Sequence, residues 1–233
     1  MSTEQASAGK RILILTADVG FGHRSAAEAV KVALDRIAAE RGDDEIVAQI
    51  ANPLDDKRVP ALLRDQQTEY DSLVRTAPDL YKLGYEVANT APIDAALEGA
   101  LILMLFEVIR DVLREHRPDV IVSTYPLYQA PIGAVRQVTD RRSPLLTVVT
   151  DLATVHGVWF QRATDLCLVP TDKVAQVARK HGMQESRIRV TGLPVDPRLA
   201  ERPADRAALR RELGWEPDLT TLLVVGSKRV KNL

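Results

Sequence analysis

Apolar residues along this chain fall into two rhythms. Short uninterrupted runs at Lys10 to Ala17, Glu45 to Ala51, Asp119 to Thr124, Pro144 to Thr150, Asp165 to Val169 and Arg187 to Thr191 are rich in Val, Ile and Leu. They do not alternate with polar residues, which suits strands covered on both faces, as in a parallel sheet. Between them, apolar positions recur every three or four residues. Ala26, Val30, Leu34 and Ile37 form one such series, and Leu97, Leu101, Leu105, Val108 and Val112 another, with shorter stretches at Ala130 to Val138 and Asp172 to His181. That spacing predicts amphipathic helices. The opening strand, tight turn, helix and second strand make a βαβ unit. Its continuation predicts an α/β fold, a doubly wound, mostly parallel Rossmann-like sheet.

The same pattern divides the chain. Residues 1–9 read as a disordered tail and 10–197 as a Rossmann-like domain, with a helical insertion over 60–116 punctuated by Pro78 and Pro92. Pro194-Val-Asp-Pro197 opens a charged stretch, so 198–233 reads as a linker and the truncated start of another domain. A helix is expected from Asp205 to Leu213 and a buried strand from Thr220 to Val225. The 233 residues, 45% hydrophobic and 27% charged, are enough for a core without a staple or metal. Lys and Arg number 31 against 32 Asp and Glu, and only 4% of residues are aromatic. Neither a counterion-releasing surface nor a base-stacking platform follows, which argues against a nucleic-acid partner. The single cysteine, Cys167, excludes an internal disulfide and lies in an apolar run that reads as core. The longest apolar stretch without a charge, Gly99 to Phe106, is far short of the roughly 20 residues that cross a bilayer. No signal-peptide core is evident, so a cytoplasmic location is expected.

Candidate chemistry gathers where strands end. Gly20-Phe-Gly22-His23 lies in the first strand-to-helix turn, where backbone N–H groups favour an anion or a developing oxyanion. It is not a Walker loop. It also makes a poor dinucleotide fingerprint, because Ser25 and Ala26 follow and no acid closes the second strand near Asn52. His23, at the positive end of a helix, is expected to stay neutral and so able to serve as a general base; a cap or a packed loop residue is the plainer alternative. Asp151 closes a strand at the edge where open α/β sheets bind ligands, although an Asx turn would also explain it. His156 and Trp159 follow on the same rim and are candidates to line a sugar or acyl pocket, with core packing the alternative for the indole. His116 and His181 need no more than their places near helix ends.

Four ordered motifs then carry a resemblance: Asp18-Val-Gly20-Phe-Gly22-His23-Arg24, Pro118-Asp-Val-Ile-Val-Ser-Thr-Tyr-Pro126, Val149-Thr-Asp151 through His156-Gly-Val-Trp159, and Val190-Thr-Gly192-Leu-Pro194. Together the chain resembles the amino-terminal, acceptor domain of the monogalactosyldiacylglycerol synthases and the related diacylglycerol glucosyltransferases. The resemblance implies half of a GT-B glycosyltransferase, which moves a hexosyl group from a UDP-sugar to diacylglycerol with inversion. It implies His23 as the base, and Asp18, Gly20, Gly22, Pro126, Asp151, His156 and Trp159 as substrate-binding residues. No metal or organic cofactor is implied, since the UDP-sugar is a substrate. The 60–116 helices would touch a membrane peripherally. Two departures stand out. Tyr125-Pro126 replaces the family's usual His-Pro, and Gly226 is followed by Ser-Lys-Arg-Val-Lys231 in place of a glycine-rich phosphate loop. With the donor half largely missing, this chain is expected to be incomplete alone. A lipid-binding or regulatory module derived from such a domain is the alternative.

Overall fold

The computed structural model describes residues 10–19, 22–42, 46–64, 91–140, 142–152, 154–201, 205–216 and 218–224. The predicted tail, Gly20, the centre of the helical insertion and the Gly226 segment lie outside these residues. Six parallel strands form one sheet: β1 (Lys10–Leu15), β2 (Ile46–Ala51), β3 (Val120–Ser123), β4 (Leu145–Val148), β5 (Leu166–Val169) and β6 (Ile188–Val190), in the order β2-β1-β3-β4-β5-β6. Helices α1 (Gly22–Arg41), α2 (Ala61–Arg64), α3 (Ala91–His116), α4 (Gln129–Val138), α5 (Asp172–Lys180) and α6 (Arg206–Glu212) complete the described elements. All six predicted strands of the sheet are present, and the long helices fall where the apolar periodicity placed them.

The sheet is doubly wound because its inner strands are apolar on both faces. Along β1, Ile12 and Ile14 join Ala27, Val30 and Leu34 of α1, whereas Leu13 and Leu15 join Leu101, Leu105 and Ile109 of α3 and Ile132 of α4. A third cluster packs Val174, Ala175 and Ala178 of α5 on Cys167 and Val169 of β5. Cys167 is fully buried, and burial pushes its thiol up to about 12. It is core, as the sequence suggested. Helix α3 ends at His116 because Arg117 turns into the left-handed region (φ 44) and Pro118 follows, which cannot continue a helix.

One expectation fails. Thr220 to Val224 joins no strand, and Leu222, Leu223 and Val224 stand 85%, 73% and 65% exposed. An apolar run becomes a strand by pairing with a neighbouring edge, and the described residues give this one no edge to join.

The strand order places the site. From β1 the chain crosses to β2 on one side and then returns past β1 to β3 on the other, so a crevice opens between the carboxyl ends of β1 and β3. Close packing holds the flanking layer. A Cβ on Gly133 of α4 would lie 2.6 Å from the Cβ of Ala163, a clash that only a backbone shift relieves. Such overpacking costs about 1–3 kcal/mol against the ~1 kcal/mol of helix propensity that alanine adds, so Gly133→Ala is expected to destabilise the fold by up to about 2 kcal/mol. Urea unfolding of the two proteins measures the difference.

Candidate functional site

His23 is the second residue of α1, and the crevice between β1 and β3 brings it against Thr124, which follows β3. Two hydrogen bonds tie the residues together. The Thr124 hydroxyl donates to the His23 backbone carbonyl at 3.0 Å, with Thr16 Oγ1 2.9 Å away. In the other direction His23 Nδ1 lies 2.9 Å from the Thr124 carbonyl oxygen. A carbonyl oxygen only accepts, so Nδ1 carries the ring proton and donates it. Thr150 Oγ1, just past β4, is 2.8 Å from the same nitrogen and takes a second share of that proton. Nε2 is left with its lone pair, and among the described residues no hydrogen bond reaches it. The imidazole is thus held in the tautomer a general base requires.

Rings enclose His23. Tyr125 meets it edge-on with centroids 5.1 Å apart, and Trp159 tilts against it at 5.9 Å. Both are nearly or fully buried. This enclosure lowers the His23 pKa, burial being the largest cause, while the Asp151 charge and the Thr124 backbone hydrogen bond pull it back up. The sequence-based expectation of a neutral imidazole agrees in direction, but its main physical cause is desolvation. Asp151 in turn accepts the Trp159 Nε1–H at 2.7 Å. Trp159 is packed in the core, as one of its two readings had it, and its ring lies beside His23.

A polar rim lies on the β2 side. Asn52 Nδ2 donates to Asp55 Oδ1 at 2.8 Å and to Asp18 Oδ2 at 3.3 Å, and Arg24 approaches Asp18 at 3.6 Å. Burial, then the Asp18 charge, raises the Asp55 pKa. Beneath the rim the Tyr128 hydroxyl lies 3.1 Å from both the Thr16 carbonyl and Asn52 Oδ1, locking the turns after β1, β2 and β3 to one another. Burial above all raises the Tyr128 pKa.

Of the residues singled out in the sequence, His23, Asp151 and Trp159 come together, with Asp18 on the adjoining rim. Pro126 opens the 3-10 turn Pro126–Tyr128 and aims the two tyrosines. His156 takes a structural task, its Nδ1 accepting the Val158 N–H at 3.2 Å to cap the turn Gly157–Trp159. A Cβ on Gly22 would meet nothing within 4 Å, so open space lies beside the start of α1. Thr124, Thr150, Tyr125, Tyr128 and Asn52 are additions. Thr124, Tyr125 and Thr150 lie inside the motifs of the resemblance without a role implied there, and all five stand at the carboxyl end of a strand or a few residues beyond it. A cavity of about 520 Å³ opens elsewhere, lined by Gly157, Val158 and Phe160 with Ile102, Ala130 and Gly133; none of the groups touching His23 lines it.

Because the folded protein resists protonating His23, its ring should titrate below the ordinary 6.5. The unfolded chain binds that proton more readily, so this residue's effect is to lower stability as pH falls through 6.5. NMR of the ring protons measures the midpoint. His23→Gln should flatten the part of the urea-stability profile that falls below pH 6.5.

A sequence profile described as monogalactosyldiacylglycerol (MGDG) synthase matches residues 23–195. The chloroplastic monogalactosyldiacylglycerol synthase of Spinacia oleracea is 34% identical over 219 residues, covering 93% of this chain and 41% of that protein. Monogalactosyldiacylglycerol synthase 1 of Arabidopsis thaliana is 32% identical over 224 residues, covering 95% and 41%. Among solved structures, the apo form of the lipopolysaccharide outer core galactosyltransferase WaaB aligns with a TM-score of 0.47 at 13% identity, over 80% of this chain and 46% of that one. The chain spans about two-fifths of the length of the curated relatives. On the profile match and these identities, the chain belongs to the monogalactosyldiacylglycerol synthase family.

Proposed function

We propose that this chain is the acceptor side of a glycolipid-forming, inverting GT-B glycosyltransferase, in which His23 removes the proton from the free hydroxyl of a diacylglycerol. The observation that carries this reading is the His23 imidazole itself, oriented through Nδ1 by Thr124 and Thr150 with Nε2 unengaged among the described residues. An alcohol attacks well only as its proton leaves, and a fixed neutral imidazole accepts that proton in place. The donor, a UDP-sugar, is held on a facing domain and presents its anomeric carbon across the crevice. The names of the relatives favour a galactosyl group.

Acceptor recognition falls to the walls around His23. Tyr125 and Trp159 offer apolar faces, and the Asp18, Asn52 and Asp55 rim offers acceptors and an amide to glycerol or sugar hydroxyls. The lipid tails lie with the bilayer, which the protein meets peripherally through the 60–116 segment. Leu103, 85% exposed on α3, supports that contact. No helix among the described residues is long and apolar enough to cross a membrane.

The test is transfer from a radiolabelled UDP-hexose to diacylglycerol in vesicles by the native polypeptide that carries this sequence. His23→Ala should lower kcat/KM by about 10²–10⁴-fold. The acid limb of the wild-type profile should fall below pH 6.5, since the lowered pKa keeps the base neutral to lower pH. Near wild-type transfer by His23→Ala would show that another group takes the proton.

A further inference from the structure

A residue that lines a sugar or glycerol pocket offers its polar atoms to the ligand, but Asp151 has one carboxylate oxygen committed inside the protein. Its Oδ2 accepts the Trp159 Nε1–H at 2.7 Å. That indole is 0% exposed, so its N–H is fixed in direction, and its ring lies 5.9 Å from the His23 ring. The preceding residue, Thr150, has its hydroxyl 2.8 Å from His23 Nδ1. Two consecutive residues after β4 therefore stand near one imidazole, the first with a hydroxyl in direct contact and the second with a carboxylate held by the indole beside it.

Other groups facing His23 cannot substitute for that charge. On the β3 side Tyr125 presents a ring edge and Thr124 a neutral carbonyl. On the side of β1 and α1, Asp18 and Glu28 both lie against Arg24, and Asp18 also accepts from Asn52. Asp151 is the acid whose charge acts on the His23 ring.

We propose that Asp151 is a positioning residue, a fixed countercharge clamped by Trp159 that stabilises the His23 imidazolium formed during transfer, and not a ligand for the sugar or the lipid. This rests on the reading of His23 as the base. In the step concerned, the acceptor O–H bond breaks and its proton passes to His23 Nε2. The oxygen, keeping the electron pair of that O–H bond, forms a bond to the anomeric carbon as the bond from that carbon to the diphosphate oxygen breaks, and the electron pair of this second bond leaves with the nucleoside diphosphate. Positive charge then spreads over both ring nitrogens. Thr124 and Thr150 hold the Nδ1 side, and Asp151, half-buried and hydrogen-bonded to the indole that packs beside the ring, supplies the compensating charge. Trp159 keeps the carboxylate from swinging into the crevice.

Two readouts test this. The first is the titration midpoint of His23 by NMR in this chain, for wild type, Asp151→Asn, Asp151→Glu and Trp159→Phe. The second is the pH profile of vesicle transfer by the native polypeptide with the same changes. Asp151→Asn should move the midpoint and the acid limb to lower pH. It should reduce kcat by about ten- to a hundredfold, less than loss of the base itself, with the acceptor KM within about twofold. Asp151→Glu should restore part of the midpoint, and Trp159→Phe should shift it in the same direction as Asp151→Asn. An unchanged midpoint in Asp151→Asn overturns the proposal, as does a raised KM with unchanged kcat, which would make Asp151 a substrate ligand. If the wild-type polypeptide transfers no sugar, the titration still decides the countercharge, while the silent assay counts only against the proposed function.

Discussion

The double tether between Thr124 and His23 is the interaction on which the site depends. One residue grips the other at two points, its hydroxyl on the His23 backbone and its carbonyl on the ring. Such a grip needs the start of α1 and the end of β3 at the same place, more than 100 residues apart in sequence. Pairing of β3 beside β1 provides this, since Thr124 N–H donates to the Leu15 carbonyl and continues the ladder one step beyond the strand. An exposed histidine on a mobile turn would lose orientation with every rotation about its side-chain bonds. Here the turn, the tautomer and the ring plane are all set by groups belonging to the sheet, which is the rigid part of the molecule.

The surrounding layers exist to keep that edge still. Leu13 and Leu15 pack against α3 and α4 while Ile12 and Ile14 pack against α1, so β1 is held from both faces up to the residue where the site begins. Polar contacts then take over. Thr16, Thr124 and Tyr128 are all fully buried, and each finds a partner at the carboxyl edge. A buried hydroxyl without a partner would be costly. These bonds therefore both satisfy the strand ends and fix the turns that carry Asn52, Tyr125 and His23.

Much of this could be read from residue order alone. Runs such as Ile12 to Leu15 and Val120 to Val122 have no polar face, and a strand without a polar face belongs in a parallel sheet covered on both sides. The position of Asp151 and Trp159 near His23 followed from their places just beyond a strand, because in such a sheet all carboxyl ends share one edge. Other features were hidden for physical reasons. Hydrophobicity does not distinguish a threonine that ends a strand from one that clamps a histidine, so the roles of Thr124 and Thr150 stayed hidden although both stand within the quoted motifs. The desolvation of His23 depends on Tyr125 and Trp159 closing over it from distant turns, which no local pattern encodes. The segment from Thr220 to Val224 shows the converse limit: its composition reads as a strand, yet strand formation is a property of a pair, and nothing local says whether the partner is present.

Tyr125 shows how the chain resolves a conflict inside its own site. A buried imidazole is a weaker base, because burial disfavours the charge it must acquire, so each neighbour of His23 either deepens that cost or relieves it. A second histidine at position 125 would place another proton-binding ring 5 Å away, and the two would compete for one charge. A tyrosine keeps the aromatic wall, meeting His23 and Tyr128 edge-on at 5.1 and 5.0 Å, and adds no group that titrates near neutral pH. Among the three rings, titration near neutral pH is thereby confined to His23. On the reading of His23 as the base, the aromatic enclosure keeps the imidazole neutral at rest while the Asp151 carboxylate favours the charge it takes up, so that the two opposing demands fall on different neighbours.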